Sequence, residues 1–347
     1  MTDPTYPPKP RPGDKVAIVS PSAGLPQLFP RPYELGLRRL REDFRLVPVE
    51  YPATRRMGAS PRERAADLHA AFADPEIKAI IASIGGDDQI TVLPHLDTGL
   101  IRANPKPFFG YSDNTNLLTY LVNRGIVAYH GGSVMCEFGR PGAMHSLTTV
   151  ALQAALFTSG EYELRESTVY GDVQRDWADP ATFDGPPVME GCTGWRWHNA
   201  DQVVEGLTWG GNLEILAGLL MADREIHAPE AYEGRVLLVE TSEELPSAAE
   251  VFRILRNMGE RGLLGRFAGV LVGRAKAWSF ERPNTPGQKA VFAKEQREAI
   301  LNALAAYNPE AMAVFDVDFG HTDPQVVIPI GGRVRVDGHE RRITVRY

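Results

Sequence analysis

Short apolar runs alternate with longer amphipathic segments through the first third of the chain. Residues 14–19 read as a buried strand that ends in the polar turn Ser20-Pro21-Ser22. Residues 31–43 carry leucines among charges at helical spacing, and Leu46-Val47-Pro48-Val49 is a second, short strand. Ser60-Pro61-Arg62-Glu63 has the form of a helix start, and the helix it opens reaches about Ala73. Residues 77–84 are a third strand, closed by Gly85-Gly86-Asp87-Asp88. A helix is expected over residues 90–98, then a fourth strand at Pro107-Phe108-Phe109-Gly110 and a helix from residue 117. Strands alternating with helices predict a parallel α/β sheet. In such sheets ligands collect beyond the C-terminal strand ends. Residues 20–24, 85–88 and 111–114 are the loops placed there.

Residues 160–205 lose this rhythm. Trp177, Trp195 and Trp197 fall among glycines and prolines with little periodicity. Loops this long inside a folded chain are usually functional or disordered, and the tryptophans argue for order. A second regular region starts near residue 204. Gly210-Gly211-Asn212 precedes an apolar helix over residues 213–220, and residues 234–241 are a strong strand. Leu245-Pro246-Ser247 opens a helix to about Met258, residues 268–274 are a strand, and residues 288–305 an alanine-rich helix. Residues 314–321 alternate as a strand that ends in Gly320-His321, and the tail from Gly332 pairs as a hairpin around Asp337-Gly338. A chain of 347 residues is long for one core. The expected division is an N-terminal domain over residues 1–160, a Trp-bearing linker and substrate loop over 161–205, and a C-terminal domain over 206–347.

Composition narrows the classes. With 43% apolar and 23% charged residues the chain is an ordinary globular one. Its net charge of −7 argues against a nucleic-acid or acidic-membrane surface. No apolar run reaches spanning length, and the proline-rich N-terminus lacks the apolar stretch of a signal peptide, so a cytoplasmic location is expected. Cys136 and Cys192 are the only cysteines and have no metal-like spacing; neither a disulfide framework, a metal site nor a cofactor is called for. Neither Gly85-Gly86 nor Gly131-Gly132 has the Gly-x-Gly-x-x-Gly spacing of a dinucleotide site.

Candidate chemistry centres on Phe108-Phe109-Gly110-Tyr111-Ser112-Asp113-Asn114-Thr115-Asn116. A strand, a sharp turn and a helix would hold Ser112 clear of the backbone, beside helix N–H groups able to bind an oxyanion. The stretch is a relative of the Gly-x-Ser-x-Gly nucleophile elbow, with Asn114 in place of the last glycine. Alternatively, Ser112 or Asp113 is simply a helix cap. A serine nucleophile needs a base, and histidine is the usual one; a carboxylate then holds the imidazole tautomer. Glu240 and His321 also fall at strand ends, with His130 as the rival histidine.

In their joint order these segments resemble the LD-carboxypeptidase family of serine peptidases, whose other branch is the microcin C immunity carboxypeptidases. The resemblance runs nearly end to end, through Val19-Ser20-Pro21-Ser22, Ser83-Ile84-Gly85-Gly86, Gly110-Tyr111-Ser112-Asp113, His130-Gly131-Gly132, Gly210-Gly211-Asn212-Leu213, Leu238-Val239-Glu240, Gly273-Arg274 and Gly320-His321-Thr322. It implies a Ser112–Glu240–His321 triad and a backbone oxyanion hole at Gly85, Gly86 and Asp113. It also implies two domains, the first carrying the serine and the second, β-rich, carrying the acid and base, and a homodimer. The long Trp-bearing segment is similar to the microcin-immunity branch, which cleaves an aminoacyl or peptidyl group from a modified nucleotide; the other branch trims D-alanine from a murein tetrapeptide. On that resemblance Trp177, or else Trp195, stacks on a base. Asn212 either binds a phosphate or carboxylate or caps its helix, and Arg274 is a further substrate-binding candidate. A noncatalytic ligand-binding protein is the reading from another class.

Overall fold

Reciprocal caps start helices where the sequence places them. Ser60 accepts a hydrogen bond from the Glu63 N–H while the Glu63 carboxylate accepts from the Ser60 N–H, and Pro61–Ala73 follows. Ser247 and Glu250 do the same for Ala248–Glu260. The apolar runs become strands covered on both faces, as parallel sheets require.

The computed structural model describes residues 3–347 and builds two main sheets. The first has six strands in the order Ile328–Ile330, Ala128–His130, Phe108–Gly110, Ile77–Ala82, Lys15–Val19 and Val47–Glu50. The five strands from the N-terminal half are parallel. Ile328–Ile330 pairs antiparallel with Ala128–His130, so the C-terminal region closes one edge of the N-terminal sheet. The second sheet has eight strands, and its middle four, Val203–Asn212, Val236–Glu240, Gly269–Gly273 and Met312–Val317, are parallel. The hairpin Arg333–Asp337 and Arg342–Arg346 extends it antiparallel. One apolar core runs through both sheets. The fold is therefore α/β with two parallel-strand centres.

Two local expectations differ. Residues 90–98 do not form one helix. They make two short 3₁₀ turns, Gln89–Thr91 and Leu93–His95, and the helix Thr98–Ala103 begins only after Asp97 accepts from the Leu100 N–H. Pro94 has no N–H to continue a helix, which breaks the run there. The irregular segment from 160 to 205 is also more structured than its pattern suggests: Glu161–Glu163 and Arg196–His198 form the two outer edges of the eight-stranded sheet. Three-residue strands are too short to show a period. Among the described residues, no helix is long and apolar enough to cross a membrane.

Candidate active site

The strand Phe108–Gly110 leads into Tyr111, which is extended, and then into Ser112 at φ +62°. That left-handed conformation is disfavoured for a residue with a Cβ and marks a held turn. A short 3₁₀ turn then passes into Thr115–Asn123. The turn is fixed by Asn114, whose amide donates to the Tyr111 and Ile84 carbonyls and accepts from Gln89 Nε2. A glycine could not make those bonds, which gives a physical reason for asparagine at this elbow. The helix-cap alternative is not what forms. Neither Ser112 nor Asp113 caps the helix; the cap position is Asn114, without a side-chain cap bond. The Asp113 carboxylate instead accepts from the Gln89 N–H and from Asn116. Burial, against the Gln89 bond, pushes it up to about 6.

The Gly85-Gly86 turn closes over the serine. A Cβ on Gly85 would lie 2.8 Å from Ser112 Cβ, 2.9 Å from its Oγ and 3.5 Å from the Asp113 backbone nitrogen. Only glycine allows this approach. Gly86 packs against Ser22 and Ala23, so the 20–24 loop stands behind the turn.

Glu240 ends Val236–Glu240 and is fully buried. Its Oε2 lies 2.6 Å from His321 Nδ1. His130 approaches its other oxygen at 3.7 Å, longer than a hydrogen bond. His130 is itself buried between Tyr111 and Phe319 and does not line the cavity, so the rival histidine cannot touch a substrate. Gly320 makes the close pairing with His321 possible. It has φ +97°, and a Cβ there would stand 2.7 Å from Glu240 Oε2. Burial alone would raise the Glu240 pKa, but the two imidazoles beside it win and hold it down at about 2. Burial likewise opposes charge on His321, yet Glu240, with Glu243 and Glu214 nearby, pushes it up to about 9. The pair is thus an ionised carboxylate fixing one ring nitrogen of a basic imidazole. The other nitrogen, Nε2, lies 3.5 Å from Glu243.

Ser112 and His321 line one cavity of about 450 Å³. They are not hydrogen-bonded to each other; such contacts often tighten only around substrate. Gly85, Gly86 and Tyr111 share this floor. Leu25, Phe29 and Trp177 form an aromatic and aliphatic wall, with the rings of Phe29 and Trp177 edge-to-face at 5.8 Å. The serine thus comes from the first sheet and the acid and histidine from the second.

Three of the proposed substrate-binding residues point elsewhere. Trp195 is 8% exposed and donates its indole N–H to Asp318, outside the cavity. Arg274 turns inward to Asp318 and the Asp316 carbonyl. Asn212 caps Leu213–Ala222 by accepting from the Ile215 N–H and is likewise buried away from the cavity. All three sit at strand or turn positions where sequence cannot tell inward from outward. Sequence reasoning missed Phe29, Glu243 and Lys276, which do line the cavity. The signal for the last two lay in charged residues just beyond the strand ends at Glu240 and Gly273. Among the described residues no cluster of side chains could hold a metal ion.

Comparison with known proteins agrees with this layout. The LD-carboxypeptidase N-terminal domain matches residues 16–131, and the LD-carboxypeptidase C-terminal domain matches residues 205–336. The microcin C7 self-immunity protein MccF of Escherichia coli is 24% identical over 96% of this chain and 93% of its own. A probable murein peptide carboxypeptidase of Bacillus subtilis is 27% identical over 82% of this chain and 76% of its own. The structure of MccF in complex with aspartyl sulfamoyl adenosine superposes with a TM-score of 0.85 at 22% identity, covering 99% of both chains.

Proposed function

The chain belongs to the LD-carboxypeptidase family of serine peptidases, and from that premise we propose that it cleaves the amide between an aminoacyl or peptidyl group and a modified nucleotide. In this reading Ser112 Oγ attacks the carbonyl carbon and His321 Nε2 takes its proton. Glu240 holds Nδ1 and stabilises the imidazolium. The N–H groups of Gly86 and Asp113, beside the serine, receive the developing oxyanion, and Gly85 gives them the room. His321 then returns the proton to the leaving nitrogen, and a water repeats the sequence to release the acid. The homodimer implied by the resemblance is part of the same proposal, and sedimentation of the purified protein tests it.

The observation that carries the substrate class is the Phe29–Trp177 wall in the same cavity as Ser112 and His321. A flat aromatic face next to a peptidase serine suits a nucleobase, whose stacking is worth about 1–3 kcal/mol. Binding of aspartyl sulfamoyl adenosine by the structural neighbour supports the same reading. Removal of D-alanine from a murein tetrapeptide is the second reading, supported by the relative named for murein peptides. A side-by-side assay of aspartyl-sulfamoyl adenosine and a murein tetrapeptide decides between them. The nucleotide reading expects the larger kcat/KM for the first; a larger value for the tetrapeptide overturns it.

A further inference from the structure

Lys276 lies just past the strand Gly269–Gly273, and it lines the cavity although only 3% of its surface is exposed. An ammonium has three donors. Among the described residues Lys276 Nζ donates once, to the Asp172 backbone carbonyl at 2.7 Å, and has no ion pair. The nearest candidate partner is already occupied: the Asp172 carboxylate accepts from Lys289 Nζ at 2.6 Å and from the Ala277 N–H at 3.2 Å. Burying a cation with so few acceptors is costly, and such groups are ordinarily paired. The other cations of the cavity are committed. Arg140 bonds to Asp323 at 2.7 Å, and Arg175 to the carbonyls of Gly185 and Ala181. Lys276 is the cavity cation left with free donors.

We propose that Lys276 anchors a carboxylate carried by the acyl part of the substrate, so that the site selects acyl groups with an acidic side chain. The proposal rests on reading the cavity as a peptidase site. On that reading the leaving group lies along the Phe29–Trp177 wall. The charges that act on Lys276 are those of Glu243, Asp172 and Cys136. Glu243 is also the neighbour of His321 Nε2, so Lys276 faces the reacting centre and the acyl side. Burial lowers its pKa, against Glu243 and Asp172; a bound carboxylate would return charge balance to the pocket. Glu243, about half exposed, leaves that position open to a ligand anion or, by its own charge, receives a substrate ammonium.

The test compares matched substrates that differ only in this carboxylate. One pair is aspartyl- and asparaginyl-sulfamoyl adenosine. The other is a murein tetrapeptide with diaminopimelate at the cleaved position and one with lysine there. Wild type should favour the acidic member by roughly 10- to 150-fold in kcat/KM, the worth of a hydrogen bond to a charged group. Lys276→Met should bring that ratio to near one, and Lys276→Arg should retain part of it. A ratio near one in wild type, or one unchanged in Lys276→Met, overturns the anchor. Lys276→Gln gives the same readout should the methionine variant fail to fold. Turnover of the peptide pair alone would defeat the nucleotide reading, yet the ratio in that pair still judges Lys276. Should neither pair be turned over, calorimetric affinities of the aspartyl and asparaginyl compounds carry the same ratio, and equal affinities overturn the proposal.

Discussion

The serine and its acid–base partners are built in opposite ways. Ser112 is made by one contiguous stretch: a buried strand, an extended tyrosine, a left-handed serine and a helix, tied by Asn114. Glu240 and His321 are eighty-one residues apart and meet because two parallel strands end side by side over a glycine. The first device stores backbone strain locally; the second stores electrostatic work in a buried pair. The strained serine is therefore insensitive to distant packing, whereas the acid–base pair depends on the whole second sheet.

Substitutions at the serine should give the largest effects. Ser112→Ala is expected to lower kcat roughly 10⁴- to 10⁶-fold with the fold intact, by circular dichroism. Ser112→Gly should lose as much turnover while gaining about 1 kcal/mol of stability, because glycine adopts φ +62° without strain. A destabilised glycine variant would remove strain from the account. Gly85→Ala is next. Its methyl would meet Ser112 Oγ at 2.9 Å, so the nucleophile must move, and kcat should fall about 100-fold. A rise in KM alone would show that the turn only contacts substrate.

Smaller effects probe the wall and the pair. Trp177→Ala should cut the preference for a sulfamoyl adenosine over a small acyl substrate lacking a base by roughly 5- to 150-fold, read as a kcat/KM ratio. An unmoved ratio would make Trp177 a packing residue. The pH profile tests the pair. His321 must lose its proton to act, and its pKa is raised, so kcat/KM should climb with pH to a midpoint above 6.5, toward about 9. Removing the Glu243 charge destabilises the imidazolium, so Glu243→Gln should move that midpoint down. The move should be less than about one pH unit, since Glu243 is 48% exposed and screened. An upward move would contradict the assigned charges.

Legibility in the sequence follows the same divide. The serine turn could be read because its strand, turn and helix lie in one window, and the Ser60 and Ser247 caps because their partners are three residues away. The pairing of Glu240 with His321 became legible only through resemblance. The room that Gly320 leaves for a carboxylate is a packing fact with no local signature. Arg274 and Lys276 show the limit most sharply. Two residues apart beyond one strand, the first turns to Asp318 and the second lines the cavity, and charge alone does not distinguish them. Trp195 and Trp177 divide in the same way, one bonded to Asp318 and one on the wall.

The central claim is that the serine of the first sheet and the histidine of the second act as one catalytic unit. The kcat values of Ser112→Ala, His321→Ala and the double variant measure it. A unit predicts that the double variant loses about as much as either single one, the behaviour of residues that act together. A double variant that loses the product of the two single effects would show that Ser112 and His321 act independently and would contradict the account.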